Sequence, residues 1–183
     1  MAKSKAVLRK CTVCGVSLLI FVCVGSRPYQ FNRLIEELDR LVVNGVIRES
    51  VFAQIGASTY EPKHFKFSHF MSSNEFKAKM TEADIVISHG ASGSIMGALN
   101  AGKRVIAVSR LAEYGEHINN HQIAINESLA EEKLVLAVSD ISNLGNAILK
   151  MTEDDVDLRP WKNENPTGII DCIDDFIIKE IIK

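Results

Sequence analysis

A chain of 183 residues, 46% hydrophobic and 24% charged, is long enough to bury one sizeable core and reads as a single soluble domain. Its net charge of −2 argues against nucleic acid, which calls for a clustered basic face, and its few aromatics do not alternate with Lys or Arg as a single-strand stacking platform would require. Four cysteines, Cys11, Cys14, Cys23 and Cys172, are too few and too scattered for a disulfide framework.

Residues 1–15 read as an N-terminal extension and 16–183 as the domain. Lys3, Lys5, Arg9 and Lys10 precede the apolar run Val16–Val24, which superficially resembles a secretory signal. No clean small-x-small cleavage site follows, and the run is too short to span a bilayer, so a cytoplasmic location is expected. Cys11-Thr12-Val13-Cys14 has the form of half a zinc knuckle, but no second Cys or His pair stands at zinc-finger spacing. Redox chemistry is no better supported, because the pair precedes a strand instead of opening a helix where a thiol pKa would fall.

Ser17–Val24 is the first predicted strand, followed by the turn Gly25-Ser26-Arg27-Pro28. Tyr29 to Val43 carries Phe31, Leu34, Ile35, Leu38, Leu41 and Val42 at helical spacing, and Asn44-Gly45 stops it. Val51–Gly56 and His64–Phe70 are the second and third strands. Ser73 is the expected cap of a helix from Asn74 to Ala83. Ala83–Ile87 is a short, β-branched run suited to a buried parallel strand. A short helix from Ile95 is closed by Gly102. Arg104–Ser109 is strand five, His117 to Ala130 a helix, Leu134–Val138 strand six, and Ser142 to Met151 another helix. An amphipathic helix from Ile169 to Ile182 ends the chain. This alternation predicts an α/β fold, a doubly wound parallel sheet with helices on both faces.

Ligands of such sheets bind beyond the carboxyl ends of the strands, where strand order reverses. Three segments should meet there: Gly25-Ser26-Arg27, Ser88–Ser94 and Arg110–Gln122. Ser88-His89-Gly90-Ala91-Ser92-Gly93-Ser94 breaks from a strand into small and hydroxyl residues and then opens a helix. That pattern makes a cradle of free N–H groups at a positive helix end, suited to a phosphate, or else a tight turn that needs small residues to pack. Neither GxGxxG nor GK[ST] occurs and Gly56-Ala57 follows strand two, which disfavours a dinucleotide oxidoreductase and an ATPase. Tyr114-Gly115-Glu116-His117-Ile118-Asn119-Asn120-His121-Gln122 concentrates donors and acceptors suited to sugar or ribose hydroxyls. On a helix beginning near Glu116, that residue would share one side with Asn119 and Asn120. The same segment also fits a solvated polar helix, and His117 and His121 stand at the i,i+4 spacing of a metal pair that lacks a third ligand.

These stretches resemble the C-terminal half of family 28 glycosyltransferases, the group that includes the donor-binding domain of the MurG-type lipid II synthase. The matching residues are Ile87–Ile95, Ala98–Lys103, Arg110 and Gly115–Gln122, with Phe21–Ser26 matching the family's start, and the likeness covers roughly residues 18–150. It is closer to stand-alone forms of that half: the catalytic subunit of the eukaryotic dolichol-pathway UDP-GlcNAc transferase and the PssE/EpsF-type bacterial subunits. The resemblance implies one half of a GT-B architecture and transfer of GlcNAc or a hexose such as Gal from a UDP-sugar to a polyprenyl-diphosphate-linked acceptor, with inversion. UDP-sugar would be substrate, with no cofactor and no metal. His89, Gly90, Ser92, Gly93 and Ser94 would hold the diphosphate, with Arg110 also in the donor site. Glu116, His117, Asn119, His121 and Gln122 would face the sugar and ribose, and Gly25 and Ser26 would border the acceptor's entry. His89 and Glu116 are the candidate bases. A membrane-associated subunit would supply the other half of the cleft, with the C-terminal helix either docking on it or closing its own core. Gly97 stands where MurG-like members carry a ribose-binding glutamate, so ribose recognition would come from elsewhere, with Glu116 a candidate, or be weaker. A non-catalytic nucleotide-sugar-binding subunit and an enzyme of the UDP-GlcNAc 2-epimerase type are the alternatives.

Overall fold

Leu19–Cys23 (β1) supplies the centre of the sheet because Ile20, Phe21, Val22 and Cys23 can all be buried, covered from both faces. The computed structural model describes residues 18–162. The elements that follow are Asn32–Val43 (α1), Ser50–Gln54 (β2), Lys66–Ser68 (β3), Ser73–Glu82 (α2), Ile85–Ser88 (β4), Ser92–Asn100 (α3), Arg104–Val108 (β5), His121–Glu131 (α4), Leu136–Val138 (β6) and Leu144–Thr152 (α5). Six strands pair in the order β3-β2-β1-β4-β5-β6, every neighbouring pair parallel. This is the Rossmann-like α/β arrangement expected from the alternation.

Alternate residues of each strand feed two separate cores. Ile20, Val22, Ile85, Ile87, Ile106 and Val108 pack with Leu34, Ile35 and Leu38 of α1 and Ile148 of α5. Phe21, Cys23, Val86, Val105 and Ala107 pack on the other face with Met80 of α2 and Ile95, Ala98 and Leu99 of α3. The right-handed crossover rule places the helices so: the step from β1 to β2 runs one way along the sheet, and the steps from β3 to β4 and β4 to β5 run the other. Each fully buried Ile, Leu or Phe here contributes about 1.5–3 kcal/mol of transfer free energy.

Several boundaries differ from the sequence expectation. The cap of α2 is Ser72, not Ser73: its Oγ accepts from Glu75 N–H (3.3 Å) while Glu75 Oε2 accepts from Ser72 N–H (2.9 Å), a capping box. The first helix begins at Asn32 instead of Tyr29, because the Phe31 N–H is taken by Ser58 Oγ and the Asn32 N–H by Gln30 Oε1. The connection from β2 to β3 contains no helix. Buried Asp39 of α1 fastens it, accepting from Tyr60 Oη (2.7 Å), Lys63 N–H (3.1 Å) and His64 N–H (2.9 Å). Burial opposes ionisation of Asp39, but those hydrogen bonds outweigh it and hold the carboxyl below the usual range. The expected extension at 1–15 and the helix from Ile169 to Ile182 lie outside the described residues.

Candidate functional site

At the point where strand order reverses, β1 and β4 end level, with Cys23 opposite Ser88. Beyond them the chain departs to opposite faces and leaves a crevice at the carboxyl edge of the sheet. Gly25 and Gly90 turn the chain there with φ of +81° and +71°. Both also permit close approach: a Cβ at Gly25 would lie 2.7 Å from the His89 ring, and one at Gly90 2.7 Å from Asn126 Nδ2.

Helix α3 starts at Ser92, three residues earlier than its apolar stripe predicts, so Ser92, Gly93 and Ser94 form its first turn. No side chain caps this end, and its N–H groups and positive dipole end face the crevice. The resulting cleft has a volume of about 550 Å³. Its floor is Gly25, Ser26 and Arg27 after β1 and the segment His89 to Ser94, and its far wall is Arg110, His117, Ile118, His121, Gln122 and Ile125. The lining holds guanidinium, imidazole and hydroxyl groups and no carboxylate.

Arg110 is 1% exposed, yet it lines the cleft. Its Nη2 donates to the carbonyls of Val24 (2.6 Å) and Tyr29 (3.1 Å), which fixes the turn after β1, while its Nε is buried without a partner. Burial, opposed by the charge of Glu116, brings the guanidinium down to about 10, still protonated at neutral pH. His89 lies beside it with Nδ1 3.1 Å from the carbonyl of Cys23. A carbonyl only accepts, so Nδ1 carries the proton and Nε2 keeps its lone pair. Burial first, and then the charge of Arg110, push His89 down to about 4. It is a neutral imidazole, and a weak base. Beneath it the thiol of Cys23 is raised to about 11 by burial, against hydrogen bonds with Ser88 and Ser94, and is inert.

The segment between β5 and α4 differs most from expectation. Helix α4 begins at His121, after a 3₁₀ turn at Ala112–Tyr114 and a left-handed Gly115 (φ +66°). Glu116, Asn119 and Asn120 therefore do not share a helix side, and His117 and His121 are not a helical pair, although their rings meet edge-on at 4.9 Å. Glu116 does not line the cleft. It is fully buried and accepts from Arg33 Nε (3.0 Å) and Nη2 (2.9 Å) and from Leu111 N–H (2.9 Å), so its carboxylate faces Arg33 and not the cleft. Asn119 is exposed outside the cleft and bonds the ring of His121, while the amide of Asn120 braces Ala112 N–H (2.8 Å). Gln122 is buried at the cleft wall with Oε1 on Arg110 N–H (3.1 Å). Gly25, Ser26, His89, Gly90, Ser92, Gly93, Ser94, Arg110, His117, His121 and Gln122 are brought together as expected.

Arg27 and Ile118, which lie in segments expected at this edge but were given no role, line the cleft, as does Ile125, which was not expected there, and Arg33 and Asn126 support it from behind. Among the described residues no group of three or more His, Cys, Asp or Glu is placed to hold a metal ion. A larger apolar groove of about 680 Å³ runs between α2 and α3, sharing Gly93 and Ser94 with the cleft, but its one cationic lining residue is Lys77.

The glycosyltransferase family 28 C-terminal domain model matches residues 19–170. The chain belongs to this family. Within it, the chain is similar to the UDP-N-acetylglucosamine transferase subunit ALG13 of Mus musculus, 27% identical over 124 residues, 61% of this chain and 10% of that protein. The subunit of the same name from Yarrowia lipolytica is 32% identical over 76 residues, 42% of this chain and 37% of the relative. The chain thus spans well under half the length of these two relatives. The fold is shared with the calicheamicin glycosyltransferase CalG4 (TM-score 0.60, 13% identity, 90% of this chain and 44% of that one) and the kitacinnamycin glycotransferase (TM-score 0.59, 18% identity, 77% and 36%). A putative UDP-N-acetylglucosamine 2-epimerase from Listeria monocytogenes superimposes equally well (TM-score 0.61, 10% identity, 90% and 46%). Matched to such neighbours, this family 28 domain corresponds to one half of a GT-B structure.

Proposed function

We propose that this family 28 domain binds the donor in a glycosyltransferase, moving GlcNAc or a hexose such as Gal from a UDP-sugar to a polyprenyl-diphosphate-linked acceptor. The observation that carries this reading is the uncapped start of α3 opening into a cleft that holds Arg27, Arg110 and three imidazoles but no carboxylate. A diphosphate there meets N–H groups, hydroxyls and a positive dipole end, fixed in place before the reaction begins. As the glycosidic bond to the donor breaks, negative charge grows on the departing diphosphate, and these groups stabilise it most at that moment. Direct displacement by the acceptor hydroxyl inverts the anomeric centre.

The acceptor must lose a proton, and this chain is poorly equipped to take it. Glu116 is locked to Arg33, and His89 titrates near 4 beside a cation. The base is therefore assigned to the second half of the cleft, on a membrane-associated partner that also positions the lipid acceptor. His89 instead holds the two loops together against Gly25. No helix of the described residues is long and apolar enough to cross a membrane, which fits a domain held at the cytoplasmic surface through its partner.

The same shortage of a base favours a second reading, a nucleotide-sugar-binding subunit without catalytic function. Calorimetry with UDP, UDP-GlcNAc, UDP-Gal and UDP-Glc, followed by assay with the partner subunit, tests both. Transfer on reconstitution supports the first; binding of UDP without transfer leaves the second. Absence of binding by any uridine nucleotide ends both.

A further inference from the structure

Two carboxamides one turn apart on α4 grip consecutive residues beyond the end of β5. Gln122 Oε1 accepts from Arg110 N–H (3.1 Å), and Asn126 Nδ2 donates to Ser109 Oγ (2.9 Å). Gln122 lines the cleft, whereas Asn126, 1% exposed, lies behind it. The amide of Asn126 rests against Gly90, where a Cβ would stand 2.7 Å from Nδ2, 3.2 Å from Oδ1 and 3.3 Å from Cγ. Gly90 is the left-handed turn between His89 and the start of α3. Asn126 therefore braces the loop after β4 against the loop after β5, the floor of the cleft against its far wall.

Packing alone does not account for an asparagine at this position. Among the described residues, Asn126 Oδ1 is buried without a partner, as is Nε of Arg110 across the same loop. Turning the amide over does not help, because the Ser109 hydroxyl donates as readily as it accepts and Nδ2 would become the unpaired end. An enclosed polar atom without a partner opposes folding, and an apolar side chain of similar shape would avoid that cost. The cost falls at the turn that aims the N–H groups of the loop, as in sites shaped for a ligand at the expense of stability.

We infer that Asn126 is a positioning residue of the donor site: its amide fixes the peptides on either side of Gly90, and with them the direction in which the loop meets a diphosphate. This rests on the nucleotide-sugar reading of the cleft and adds to it a residue that touches no part of the donor. Replacing Asn126 and Ser109 together by apolar side chains removes the bond and every unpaired atom of the pair, so the core does not suffer. The Gly90 turn loses its brace all the same. Affinity and stability then part company, which a residue that only supports the fold does not allow.

The test is calorimetric titration of the full chain with UDP, alongside urea unfolding, for the parent and two variants. The double variant Ser109→Ala/Asn126→Leu is expected to keep or raise the urea midpoint while binding UDP about tenfold more weakly or worse. Affinity within about threefold of the parent, or affinity that falls only together with the midpoint, overturns the inference. Asn126→Asp keeps the shape and sets a carboxyl against the loop, and it decides the matter if the double variant does not fold. At pH 8 it should bind UDP about tenfold more weakly than the parent, and at pH 5, where burial favours the neutral acid, that deficit should shrink by about threefold or more. An equal deficit at both pH values, or none at pH 8, overturns the inference and leaves the nucleotide-sugar reading standing. No binding of UDP by the parent overturns both.

Discussion

The imidazole of His89 rests directly on the backbone of Gly25, so close that a Cβ there would stand 2.7 Å from both Cε1 and Nε2. Gly25 is also left-handed, at φ +81°. Two independent penalties therefore meet at one position. Gly25→Ala carries about 1–2 kcal/mol for an L-residue in that region and a further ~1–3 kcal/mol for overpacking against a ring held by the Cys23 carbonyl. Urea unfolding should show a loss of about 2–5 kcal/mol, and UDP binding should weaken with the displaced turn. A variant as stable as the parent would mean the ring is free to swing away.

The buried state of His89 gives a pH dependence of definite sign. Its pKa falls from 6.5 to about 4 on folding, so the unfolded chain binds the extra proton between those values. Stability from the neutral ring is complete above about 6.5 and declines as pH falls toward 4, by at most about 3 kcal/mol. His89→Asn retains a donor for the Cys23 carbonyl without a titrating group. Denaturation midpoints at pH 7 and pH 4.5 should lie closer together in that variant than in the parent. Equal separation would place the acid sensitivity elsewhere.

The strands were legible because β-branched runs such as Ile85–Ile87 and Val105–Val108 mark buried strands whatever surrounds them. Helix starts were not. Ser92-Gly93-Ser94 has weak helix propensity and reads as loop, but packing of Ile95, Ala98 and Leu99 on the sheet extends α3 back through it. Polar residues 116–120 read as helix, yet the Asn120 side chain bonds Ala112 N–H and Gly115 is left-handed, so local hydrogen bonds won over the helix. The fate of Glu116 was invisible for a different reason. Its partner Arg33 lies 83 residues away on α1, and no local pattern announces so distant a pair.

That pair carries its own prediction. Arg33 reaches across from α1 to Glu116 and to the Ser109 carbonyl (3.1 Å), and its guanidinium lies 5.4 Å from the Phe31 ring and 5.2 Å from Tyr114. Removing one partner strands a buried charge and frees the loop that carries Arg110 and His117. Glu116→Ala and Arg33→Ala should each cost about 3–5 kcal/mol. The double variant should cost less than the two losses combined, because neither charge is then left alone. Additive losses in a double-mutant cycle would show that the two side chains act separately.

Gly97 offers the opposite outcome. It sits inside α3, has no left-handed backbone, and a Cβ added there would meet nothing within 4 Å. Glycine in a helix interior loses more backbone entropy on folding than alanine and lacks its helix propensity. Gly97→Ala should therefore stabilise the domain by about 0.5–1 kcal/mol, read as a higher urea midpoint with an unchanged slope. UDP affinity should not move, since the added methyl points into the groove between α2 and α3 and not toward the amides of Ser92 and Gly93. A loss of UDP binding without loss of stability would place the nucleotide across that groove instead of across the start of the helix.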